Sequence, residues 1–133
     1  MEYISAEEFL KQSMNIQQEI WNWWKPSKGD LFENDLIGGF GVITGEKKLK
    51  NGLIPLLTEG QLRQFIEDKT GCFINTVPFK INTRVDLVNV NKDADGFFER
   101  ELYHLHENHD LLQAYWKVAI EIAKGEADEN RRS

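Results

Sequence analysis

The sequence predicts an α+β fold: a single domain in which an antiparallel or mixed sheet of four to five strands packs with about three helices. Helical and extended apolar patterns alternate along the chain in the order helix, strands, helix, strands, helix. The chain has 133 residues, 41% of them apolar, and a chain of that size buries roughly two-thirds of its surface without a disulfide or structural metal. We expect the domain to span residues 1–125 and residues 126–133 to form a flexible polar tail.

The first helical region is predicted near residues 6–24. Ser5 and Glu8 form a capping box at its start, in which each side chain can bond to the backbone N–H of the other residue. Ser13 interrupts the apolar stripe and is placed to cap a second helix, so two short helices are an open alternative. Pro26 ends the region, because the residue before a proline is disfavoured in the α conformation.

Two further helices are predicted near residues 58–69 and 109–124. The first begins with a capping box at Thr58 and ends at Gly71, a residue type that commonly terminates helices. The second carries apolar residues at helical spacing on one face, and we expect Gly125 to stop it.

The strands are predicted in the two segments between these helices. Residues 31–57 contain short apolar runs separated by glycine and charge, with the turn dipeptide Asn51-Gly52 before the last of them. Residues 73–90 are rich in β-branched side chains, which favour strands. A further strand is predicted from about residue 97 to residue 106.

Charge and composition exclude several classes of protein. Sixteen basic and 22 acidic residues give a net charge of -6, so the basic footprint of a nucleic-acid-binding protein is absent and no nucleic acid is expected as a partner. Cys72 is the single cysteine, which excludes a disulfide framework. No apolar run approaches the roughly 20 residues that span a bilayer, and the start of the chain lacks a signal-peptide pattern. We therefore expect a cytoplasmic protein that does not bind membranes.

Three histidines near residue 106 form a candidate metal site. His104 and His106 share one face of a strand, and His109 and Asp110 follow where the chain can turn back. With Glu107 or Asp110 they resemble a ligand set for zinc or manganese, which would make the protein a metal-binding protein or a metal-dependent hydrolase. A solvated polar strand end explains the same spacing, and we favour that interpretation with no cofactor.

Other catalytic motifs are incomplete. Residues 91–96 match the first half of a calcium loop, but Leu102 stands where the bidentate glutamate belongs. The glycines of residues 38–41 do not complete a phosphate-binding loop, and their better explanation is a twisted strand or bulge. No nucleophile constellation is present, so no catalytic residue is assigned.

The aromatic residues suggest an interaction surface. Trp21 and Trp24 share a helical face, whereas Trp23 points elsewhere. We expect Trp23 and the edge formed by Tyr115 and Trp116 to be exposed and to contact a protein partner or a second copy of the chain.

The segments at residues 23–26 (Trp-Trp-Lys-Pro), 29–30 (Gly-Asp) and 54–62 (Ile-Pro-Leu-Leu-Thr-Glu-Gly-Gln-Leu) resemble small uncharacterised proteins encoded by phages and prophages of Gram-positive bacteria. Residues 111–117 are similar to the amphipathic helix that often closes those chains, and the resemblance covers about residues 16–124. It implies a mobile-element origin and the cytoplasm of a bacterial host, but no catalytic residue. The predicted function is that of a phage-type accessory protein acting by protein–protein interaction, with the metal-binding protein as the alternative.

Overall fold

A computed structural model describes residues 2–35, 38–44, 51–78, 83–89, 100–105 and 110–132. Its elements, in chain order, are α1 (Ala6–Leu10), α2 (Met14–Trp23), β1 (Leu31–Asn34), β2 (Phe40–Val42), β3 (Leu53–Pro55), α3 (Glu59–Thr70), β4 (Cys72–Pro78), β5 (Thr83–Asn89), β6 (Arg100–Leu105) and α4 (Leu111–Arg132). The predicted mixture of helices and strands is confirmed. The chain divides into two compact units, Met1–Thr58 with Ala123–Ser133, and Glu59–Ile122.

Two serines organise the helices of the first unit. The Ser5 hydroxyl accepts a hydrogen bond from the Glu8 amide at 3.2 Å, and the Ser13 hydroxyl accepts one from the Ile16 amide at 3.4 Å. Each serine is the N-cap of its helix, where a side-chain oxygen satisfies an N–H that has no partner within the helix. The alternative of two short helices is therefore confirmed.

The turn between α2 and β1 is held by one carboxylate. Asp30 Oδ2 accepts hydrogen bonds from the indole nitrogen of Trp24 at 3.1 Å and from the Ser27 amide at 3.0 Å. Trp24 forms a buried core cluster of this unit with Ile43 and Leu53. Residues 23–26 and 29–30, two of the segments that carry the resemblance, therefore form the turn that places Trp24 in the core.

The first sheet is antiparallel and has the strand order β2-β1-β3. Phe32 lies opposite Gly41 in the register of β1 and β2 and opposite Pro55 in the register of β1 and β3. Its ring lies over Gly41, where a Cβ atom would meet the Phe32 Cε1 and Cε2 atoms at 2.9 Å. Any side chain at position 41 would therefore displace this ring.

The second unit contains a separate antiparallel sheet, in the order β4-β5-β6. Val85 and Leu87 on the central strand are fully buried, as are Leu62 and Ile66 of α3, which packs against β4. The Arg63 guanidinium donates to the backbone oxygen of Ile74 at 3.2 Å and ties α3 to this sheet.

Two details of the predicted fold are wrong. The described strands form two three-stranded sheets instead of one sheet of four to five strands, because each set pairs antiparallel within its own stretch of chain and α3 separates the two sets. Helix α4 passes through Gly125 to Arg132, so Gly125 does not stop it as predicted. Glycine in a helix costs only about 1 kcal/mol, and the burial of Ala123 and Ala127 on either side of Gly125 offsets it.

Candidate functional site

A cavity of about 220 Å³ opens on the surface of the first unit. We call it the Met14 groove. It lies among the end of α1, the first two turns of α2, and β3 with the turn before it. Its lining residues are Phe9, Leu10, Met14, Gln17, Gln18, Trp21, Asp35, Asn51, Gly52, Leu53 and Ile54.

The break between α1 and α2 creates the mouth of the Met14 groove. The Gln17 side-chain amide donates to the backbone oxygens of Leu10 at 3.2 Å and Gln12 at 2.8 Å, which holds the connection between the helices. Leu10 at the end of α1 is 48% exposed, and Met14 at the start of α2 is 73% exposed. Two large apolar side chains therefore meet solvent at this opening.

The floor of the groove is apolar and fixed. Phe9, Leu53 and Ile54 are buried. The half-buried Trp21 donates its indole N–H to the backbone oxygen of Leu53 at 3.2 Å. Because this bond orients the indole, Trp21 can present its ring to whatever enters the groove.

The rim is polar, and one of its described residues, Asp35, is charged. The Asp35 amide donates to the backbone oxygen of Gly52 at 2.8 Å, which joins the end of β1 to the turn before β3. The Gln18 side-chain amide donates to Asn22 Oδ1 at 2.7 Å. An apolar floor inside a polar rim is the arrangement found at the centre of protein–protein interfaces.

The groove is small for a small-molecule site. Pockets for such ligands measure roughly 300–1,000 Å³, and the 220 Å³ available here suits one or two bulky apolar side chains. Among the described residues of the lining there is no histidine or cysteine and one carboxylate, so the chemistry that these residues support is apolar binding.

Sequence reasoning missed this site, although a signal for it exists. Met14, Gln17, Gln18 and Trp21 are spaced by three, four and seven residues, which places them on one face of α2. The buried stripe through Ile16 and Ile20 lies beside that face. Helical spacing predicts the buried stripe but does not mark the adjacent face as a groove.

The predicted aromatic surface is largely absent from the described residues. Tyr115 and Trp116 are 2% and 3% exposed, which corrects the expectation of an exposed edge there. The Tyr115 hydroxyl shares a hydrogen bond of 2.8 Å with the Thr76 hydroxyl, within the second unit. Trp23 is half-buried and packs against the core cluster of Trp24, Ile43 and Leu53.

The predicted metal site falls mainly outside the described residues. His106 and His109 are not described, nor are the calcium-like residues 91–96. His104 lies on β6 in register with Arg84. Asp110 Oδ1 accepts a hydrogen bond from the Leu112 amide at 3.0 Å, so this carboxylate caps the start of α4. Among the residues that the structure describes, no group of three His, Cys, Asp or Glu side chains is placed to hold a metal ion.

Comparison of the chain with protein-family models, with curated proteins and with solved structures finds no match. Within the described ranges, none of the helices combines the length and the apolarity that crossing a bilayer requires.

Proposed function

We propose that this chain is a non-catalytic accessory protein of phage or prophage type that binds a segment of a partner protein in the Met14 groove. The observation that carries the proposal is the exposure of Leu10 and Met14 at the mouth of an apolar cavity. The phage or prophage setting rests on the sequence resemblance described above.

The bound segment inserts one large apolar side chain. Such an insertion removes from water both its own surface and that of Leu10, Met14 and Trp21, at about 25 cal/mol per Å² of apolar area. Methionine suits the mouth of such a groove because its flexible, polarizable side chain adapts to the shape of the inserted residue.

The chemistry of the rim sets the sequence of the partner segment. Asp35 is the charged group among the described residues of the lining, and the whole chain carries a net charge of -6. A segment with a lysine or arginine beside its inserted apolar residue is therefore favoured, because opposite charges steer association and fix its register.

The experiment is an affinity capture with three forms of the tagged protein from a lysate of Gram-positive cells with an induced prophage. The forms are the wild type, the groove variant Leu10→Gln/Met14→Gln, and the control Phe73→Gln, which alters a side chain that is 60% exposed in the second unit. We expect a protein retained by the wild type and the control and lost by the groove variant. Circular dichroism melting checks that all three forms are folded.

Retention that is equal in all three forms, or no specific retention in any, contradicts the proposal. A positive result is refined with a synthetic peptide of the captured protein. Its binding is expected to change the emission of Trp21, and replacing its apolar anchor by alanine is expected to abolish that change.

A further inference from the structure

Strand β2 lies at an edge of the first sheet, with β1 on one side. The Asn34 amide donates to the Gly39 oxygen at 2.8 Å, and the Ile43 amide donates to the Asp30 oxygen at 2.9 Å. Because backbone groups alternate along an antiparallel strand, residues 39, 41 and 43 direct their N–H and C=O groups toward β1. The N–H and C=O groups of Phe40 and Val42 therefore point away from β1, to a side on which no described strand lies.

The side chains of this edge are also exposed and apolar. Phe40 is 59% exposed and Val42 is 45% exposed. The Tyr3 ring stacks on Phe40 with the ring centroids 6.0 Å apart. Natural proteins protect an edge strand by keeping it very short, or with a charge, a proline or a bulge. Strand β2 is short, with three residues, but Phe40, Gly41 and Val42 include no charge and no proline.

We propose that two copies of this chain associate through β2, antiparallel, about a two-fold axis at Gly41. In that register Phe40 of one copy lies opposite Val42 of the second copy. Each such pair exchanges two N–H to C=O hydrogen bonds, since both residues direct their backbone groups outward. Four hydrogen bonds form between the copies, and the first sheet of one copy joins the first sheet of the other into a single sheet of six strands.

The strand is complementary to itself in this register. Each Phe40 side chain stands beside a Val42 side chain of the second copy, and aromatic and β-branched residues form favourable cross-strand pairs. Glu33 lies opposite Phe40 on β1. The two copies of Glu33 are therefore three strand spacings apart across the sheet and two residues apart along it, about 16 Å in total. That separation exceeds the Debye length of about 8 Å at physiological salt, so their repulsion is largely screened.

Charged side chains introduced at positions 40 and 42 test the pairing. The variant Phe40→Lys/Val42→Lys places like charges opposite each other across the axis, and Phe40→Glu/Val42→Glu does the same with the opposite sign. Sedimentation velocity is run up to about 1 mM, near the weak end of measurable affinity, because an interface of this size is expected to be weak. We expect the wild type to dimerise. For each variant alone we expect the dissociation constant of the dimer to be at least about tenfold higher than for the wild type. An equimolar mixture of the two variants is expected to recover the dimer.

Val42→Pro provides a second variant that keeps the β1 pairing intact. It removes an outward N–H that makes no bond to β1, and proline is tolerated on edge strands. This variant is expected to weaken the dimer as well, while Leu10→Gln/Met14→Gln leaves it unchanged, which separates this proposal from the function of the Met14 groove. A wild type that stays monomeric throughout the concentration range overturns the proposal. A dimer that survives in the folded lysine variant and in Val42→Pro overturns it also. If β2 instead accepts a strand of another protein, the wild type stays monomeric and the captured protein is lost with Val42→Pro.

Discussion

Replacement of Gly41 by alanine tests the contact that shapes the first sheet. The backbone at Gly41 is not in the left-handed region, since the positive-φ glycines of the described residues are at positions 29, 38, 52 and 71. Alanine therefore fits this backbone, and by restricting the unfolded chain it would stabilise the protein by about 0.4–1 kcal/mol. The close contact with the Phe32 ring outweighs this gain, so we expect the substitution to lower the free energy of unfolding.

The expected loss follows from the geometry. The new Cβ would lie closest to Cζ of Phe32 and 2.9 Å from Cε1 and Cε2, whereas carbon atoms in contact prefer about 3.5–4.0 Å. The ring must move by about an ångström or more, and it packs against the cluster of Trp24, Ile43 and Leu53. Overpacking of this kind costs about 1–3 kcal/mol, so we expect the free energy of unfolding to fall by about 1–2 kcal/mol.

A double-mutant cycle with Phe32→Leu isolates the ring as the cause. In the Phe32→Leu background the planar ring is gone, so Gly41→Ala is expected to be neutral or stabilising by a few tenths of a kcal/mol. Urea unfolding of the wild type, both single variants and the double variant gives the coupling energy. An equal loss in both backgrounds, or no loss in the wild-type background, refutes the reasoning.

Three further predictions concern single side chains. Asp30→Ala removes the acceptor of both the Trp24 indole and the Ser27 amide. In urea unfolding we expect the free energy of unfolding to fall by about 2–3 kcal/mol, and to fall less for Asp30→Asn. Equal losses for the two variants would contradict this. Asp110→Ala removes the cap of α4, and we expect it to lower the free energy of unfolding by about 1 kcal/mol with or without zinc. If zinc raises the melting temperature of the wild type and not that of this variant, the metal-binding alternative is favoured. Gly125→Ala is expected to raise stability by about 0.5–1 kcal/mol in thermal melts, since an added Cβ meets no atom within 4 Å; destabilisation would show that the helix ends there.

Local signals in the sequence predicted the helices well. A cap acts over three residues, so Ser5 and Ser13 can be identified without knowledge of the rest of the chain. The beginning of α3 at Glu59, directly after Thr58, follows from the same kind of local pattern. The end of α4 could not be predicted from Gly125 alone, because the burial of Ala123 and Ala127 depends on distant parts of the chain.

The partition of the strands into two sheets depends on contacts that no local pattern specifies. Asn51-Gly52 is a typical hairpin turn, yet β3 after it pairs with β1 and not with the preceding strand β2. This arrangement makes β1 the central strand and leaves β2 at an edge. The short apolar run of residues 40–42 reads as core from the sequence, and its exposure follows only from the strand order.

The same reasoning explains why the Met14 groove escaped prediction. Helix α2 carries two adjacent faces, one through Ile16 and Ile20 and one through Met14 and Trp21, and helical spacing alone ranks them equally. The fold distinguishes the two faces: Ile16 and Ile20 are buried, whereas Met14 is exposed and Trp21 donates to the backbone oxygen of Leu53. Every residue type has a backbone oxygen, so the residue at position 53 does not reveal this hydrogen bond in the sequence. The groove is therefore a property of how a strand edge meets a helix, and a surface built in this way can bind an apolar side chain without any motif that marks it in the sequence.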